Sequence, residues 1–135
     1  IMDIIELARE IGKKIQSDDM YLKLKIAKQN SDEDKKLQDL IGEFNLKRIA
    51  INNEATKDER DEKKLQELNE ELRELYSTIM KNENMIAYNI AKQEMDSVLK
   101  RVTAIIMQSA EGEDPETTDY EESCTGSCSS CGGCH

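Results

Sequence analysis

The last twelve residues hold every cysteine and the only histidine of the chain, in the order Cys124-Thr-Gly-Ser-Cys128-Ser-Ser-Cys131-Gly-Gly-Cys134-His135. Only Gly, Ser and Thr lie between the sulfurs, small enough for tight turns and able to aim backbone amides at a cluster. Four free thiols this close would stay protonated near their ordinary pKa of ~8.5, because four thiolates repel; a bound cation removes that repulsion. Cys124, Cys128, Cys131 and Cys134 are therefore the candidate ligands. Zinc and a four-iron four-sulfur cluster both accept four cysteine sulfurs. Structural zinc sites usually split their ligands into two well-separated pairs, whereas a single crowded segment is more typical of clusters, so the spacing favours iron-sulfur with zinc as the alternative. His135 is a fifth available donor or simply the last residue.

Three further chemistries fit the string less well. Cys131-Gly-Gly-Cys134-His135 matches a c-type haem attachment motif, which goes with an exported protein and a buried haem pocket. Cys124-x3-Cys128-x2-Cys131 matches the spacing of radical enzymes that use S-adenosylmethionine, which need a barrel of ~200 residues or more. The third is a flexible tail of reactive thiols, or one that takes up zinc opportunistically.

The elements that would carry this tail read as helices. No proline precedes Pro115, and apolar residues recur at steps of three and four, which places them on one helical face. Ile4, Ala8, Ile11 and Ile15 mark a first helix, with Ser17, Asp18 and Asp19 as break and cap before a short second one around Tyr21, Leu24 and Ala27. Ser31 with Asp34 resembles a capping box opening a third helix whose face includes Leu37, Ile41, Phe44 and Ile51. Leu65, Leu68, Leu72, Leu75 and Ile79 then form a heptad seam. After a turn at Asn82 and Asn84, Ala91, Met95, Val98, Val102 and Ile105 form a second seam. Tyr76 and Tyr88 read as core or interface residues.

The expected fold is all-α: an antiparallel helical bundle with a long C-terminal helical hairpin made of the last two helices, and a non-helical cysteine-rich tail. It divides into a helical interaction domain over residues 1–109, an acidic linker over 110–123 and the metal or iron-sulfur tail over 124–135.

Composition narrows the function. The chain has 135 residues, 37% apolar and 36% charged, with 4% aromatics, no Trp and Phe44 as its one Phe. Its core is aliphatic and thin, the type that commonly buries its remaining apolar surface against a partner, so an oligomer is expected. The formal charge is −10, and residues 111–122 carry seven acids and no base. No stripe of Lys and Arg free of carboxylates offers a direct grip on nucleic acid. No apolar run nears the roughly 20 residues of a membrane span, and no secretory signal pattern opens the chain, so a cytoplasmic protein is expected. Neither a phosphate loop nor a nucleophile with a neighbouring base can be assembled, and no enzyme is expected.

Three stretches together resemble the YlbF/YmcA family of small helical regulators from Gram-positive bacteria. They are Ile11-Gly12 through Ser17 and Tyr21, then Leu40-Ile41-Gly42-Glu43-Phe44, then residues 84–106 through Tyr88. Their order and spacing carry the likeness. It implies a helical homo- or hetero-oligomer without catalytic activity. It further implies partners among family paralogues, a YaaT-like protein and ribonuclease Y, in a complex that carries iron-sulfur clusters. Such a complex acts in messenger RNA maturation, sporulation, competence and biofilm control. On that resemblance the cluster-ligand role falls on Cys124, Cys128, Cys131 and Cys134. A structural zinc module and a small iron-sulfur electron carrier are the alternatives.

Overall fold

The computed structural model describes residues 1–122, and among these every regular element is helical: α1 (Ile4–Gln16), α2 (Asp19–Glu33), α3 (Lys35–Ala55), α4 (Glu62–Lys81) and α5 (Glu83–Ala110). Short polar side chains set the boundaries. Asp3, Asp18, Asp34 and Asp61 each stand in extended backbone and accept a hydrogen bond from the first turn of the helix that follows, satisfying donors that have no partner within the helix.

Two local expectations change. The second helix is not short but spans 15 residues. The cap of α3 is Asp34 rather than Ser31: the Leu37 amide donates to Asp34 Oδ1 at 3.0 Å, while Ser31 is buried in the last turn of α2 and its carbonyl accepts from Gln38 Nε2 at 2.9 Å.

The chain divides into two compact units, Ile1–Gln93 and Glu94–His135. In the first, α3 and α4 lie side by side as an antiparallel hairpin. Its register can be read from four contacts that step down one helix as they step up the other. Asp34 meets Asn82, the Phe44 ring lies 6.2 Å from that of Tyr76, Lys47 pairs with Glu71, and Glu54 pairs with Lys64. The seam of α4 faces this partner: Leu65 and Ile79 are buried and Leu68, Leu72 and Leu75 are half-buried. Leu37, fully buried at 0% exposure, closes the α2–α3 end.

The long hairpin is therefore α3–α4, not the pairing of the last two helices expected from their seams. Loop length explains the difference. Six residues separate α3 from α4, enough for a reversal, whereas Asn82 alone separates α4 from α5; helical hairpins need about two to five. Tyr76, expected in a core or interface, is 55% exposed.

Candidate interaction surface

Cys124, Cys128, Cys131 and Cys134 lie outside the described residues, as does His135. Among the described residues no group of three or more His, Cys, Asp or Glu side chains could hold a metal ion. The site that can be built from residues upward is thus a set of surfaces and the polar contacts that shape them.

Within the second unit, the acidic segment that follows α5 runs back along the end of that helix. Gly112 makes the turn at φ +99°, a conformation that glycine adopts without steric cost, and the Glu113 amide returns to the Gln108 carbonyl at 3.0 Å. Thr118 Oγ1 donates to the Gln108 side chain. Arg101 then grips Asp119 with two nitrogens, Nε to Oδ1 at 3.1 Å and Nη2 to Oδ2 at 2.7 Å, the paired geometry that gives Arg–carboxylate contacts their specificity. Lys100 Nζ stands 5.8 Å from the centre of the Tyr120 ring, within cation–π range. That ring borders a hollow of about 470 Å³ lined also by Leu99, Thr103 and Ala104. The Arg101 guanidinium, with the Tyr120 amide, holds the Asp119 carboxyl below its usual range, and Asp119 in turn raises Arg101. Composition marked this segment only as acidic and non-helical; the two adjacent basic residues on α5 that receive it, Lys100 and Arg101, carry no motif.

In the first unit, two carboxylates tie the hairpin at its ends. Asp34 Oδ2 accepts from Asn82 Nδ2 at 3.1 Å and from Asn84 Nδ2 at 3.0 Å, while Asn82 Oδ1 accepts from the Asn84 and Met85 amides at 2.8 and 3.1 Å. One cluster thus caps α3, caps α5 and joins them. The Leu37 amide, followed by the two Asn side chains, holds the Asp34 carboxyl below its ordinary value. At the other end Glu54 is buried at 4% exposure. Burial pushes its carboxyl up, but the Asp61 amide, Lys64 and Lys57 together outweigh that and leave it lowered. Such a carboxylate is tolerated in a core because it is paired.

What remains is apolar and uncovered. α1 buries none of its residues, and Ile4 is 82% exposed, with Ile5, Leu7 and Ile11 also open. Leu22 and Ile26 on α2 and Leu46 and Ile49 on α3 are likewise exposed. Scattered apolar residues are normal on a surface, whereas contiguous faces mark contact sites. No described helix is long and apolar enough to cross a membrane.

Among the described residues the body is all-helical, and several of its helices leave large apolar side chains exposed. The family model described as control of competence regulator ComK, YlbF/YmcA, matches residues 4–110. The chain belongs to this family of competence regulators. Neither a curated protein nor a solved structure matches it significantly.

Proposed function

We propose that this chain is a non-enzymatic, cytoplasmic regulatory adaptor that works inside protein complexes, its helices supplying the contact surface and its C-terminal cysteines a metal-linked control element. The observation that carries the reading is the family match over residues 4–110 together with helical faces that the chain itself leaves uncovered. By family resemblance its partners are further copies or paralogues, a YaaT-like protein and ribonuclease Y, with messenger RNA maturation and the control of sporulation, competence and biofilm formation as the process served.

The division of labour follows the chain: residues 1–109 for assembly, 110–123 as connection and 124–135 as the metal tail. Cys124, Cys128, Cys131 and Cys134 would hold a four-iron four-sulfur cluster, for which four thiolates separated by small residues are a suitable donor set. When bound, such a cluster supplies a redox- and iron-sensitive charge at the end of the tail. The docked segment running back along α5 supports a control role. It gives the tail a defined point of departure at Tyr120, so a change of state there acts on a held segment instead of a free one.

The test is iron, sulfide and zinc content per chain, with an absorption spectrum, on protein purified without oxygen and on a Cys128→Ser, Cys131→Ser variant. Stoichiometric iron and sulfide, lost in the variant, are expected. Zinc alone would turn the tail into a structural module, and no metal would reduce it to reactive thiols. The adaptor reading fails if truncation after Ser109 leaves partner binding and its redox response unchanged.

A further inference from the structure

α1 is folded as though something lay on it. At 100° per residue Ile4, Leu7, Ala8, Ile11 and Ile15 fall in one arc, with Ile5 and Gly12 together at its edge, yet the helix buries no residue. Gly12 sharpens the point. Glycine in a helix interior is destabilising relative to alanine, and a Cβ at position 12 would meet nothing within 4 Å, so no contact within the chain requires it. The same open space surrounds Gly42 on α3, so Gly12 leaves room for a close approach from outside without by itself demanding one.

The charges of α1 say what approaches. Asp3, Glu6 and Glu10 fill its first part and Lys13 and Lys14 its last turn, with Arg9 making the total even. Turned end for end, the helix is complementary to itself, and Asp3 and Lys14 lie on the same flank of the arc, where an antiparallel copy would bring them together. The polarity also suits the helix dipole, but the dipole accounts for neither the open arc nor the glycine. A helix with balanced charge lacks the cationic excess that draws amphipathic helices to anionic lipid.

We propose that α1 is a self-association face on which α1 of a second copy of this chain lies antiparallel about a two-fold axis. In this register Ala8 sits at the axis facing its own copy, Gly12 receives Ile5 of the second copy, and Asp3 meets Lys14 at both ends. Each contact occurs twice, as an isologous interface requires. The inference rests on the reading of the chain as an assembly protein and names the surface that begins the assembly.

Sedimentation velocity of the full chain over a concentration series tests it. The wild type is expected to pass from monomer to dimer. Ala8→Glu, at a position exposed in the single chain, keeps its helical signal but raises the dimer dissociation constant about tenfold or more, because like charges meet at the axis. Gly12→Ala keeps or gains helical signal and still weakens the dimer, since the added methyl takes the space of Ile5. Glu6→Lys with Glu10→Lys, and separately Lys13→Glu with Lys14→Glu, each weaken self-association, and mixing the two variants restores it. An Ala8→Glu chain that dimerises as the wild type does overturns the α1 face while leaving the assembly reading intact. Charge variants that do not recover on mixing overturn the antiparallel register. A wild type that stays monomeric throughout overturns the inference, as does one whose only response is binding to anionic vesicles. The assembly reading itself falls if that monomer also captures no paralogue.

Discussion

Helices α1 and α4 both gather their apolar residues on one face, yet α4 seats Leu65 and Ile79 in a core while α1 leaves Ile4 and Ile5 largely in solvent. The partners account for the contrast. α4 follows a six-residue loop and returns along α3, its seam against that partner, whereas α1, joined to α2 through Ser17 and Asp18, makes few contacts with it and buries none of its residues. An amphipathic pattern states that a face is to be covered; the chain geometry decides whether the cover comes from within.

The contrast breaks most sharply on side-chain deletion. Leu37→Ala, fully buried at the start of α3, should cost about 3 kcal/mol, whereas Ile4→Ala in dilute protein should cost under about 0.5 kcal/mol; denaturant titration of both variants checks the pair. Equal losses would mean that α1 is packed by its own chain after all. Asn82→Ala removes the cap of α5 and one donor to Asp34, with an expected loss of about 1 kcal/mol, read in the same titration.

Acid should act on the hairpin and the docked segment. Asp34, Glu54 and Asp119 are all held below their ordinary values, so the unfolded chain takes up protons more readily than the folded one. Their contribution is complete above about pH 5, beyond the ordinary carboxyl values of the unfolded chain, and is lost as pH falls through the lowered values. The denaturant midpoint followed from about pH 6 to pH 2 should fall on the acid side, and Glu54→Gln should flatten part of that fall. The smallest effect belongs to Arg101→Ala. Its pair with Asp119 is exposed and such pairs add little to global stability, so the unfolding midpoint should hold while amides of residues 113–120 exchange faster.

Much of the fold was legible because helices announce themselves locally. The breaks at Ser17–Asp19 and at Asn82, and the α4 seam, follow from capping chemistry and a period of 3.6, and the structure has them. The pairing of helices was not legible from the seams, since periodicity marks a face without naming its partner; the single residue between α4 and α5 was the missed signal. Asp34 outcompeted Ser31 as the cap because its carboxylate reaches both the Leu37 amide and the Asn82 and Asn84 side chains. The docked acidic segment was hidden for a similar reason: Arg101 and Asp119 are 18 residues apart, and nothing in either neighbourhood points to the other. Cys124, Cys128, Cys131 and Cys134, by contrast, are proposed as ligands on spacing and family resemblance and lie outside the described residues; chemical analysis of the purified chain decides whether a metal is bound.

Amide hydrogen exchange of α1 and α4 in the same full-length sample, across about a hundredfold range of protein concentration, tests most directly whether the two faces are covered from different sources. The account predicts that protection of α1 rises with concentration while that of α4 stays constant. Protection of α1 that does not change over a range in which the chain dimerises would contradict it.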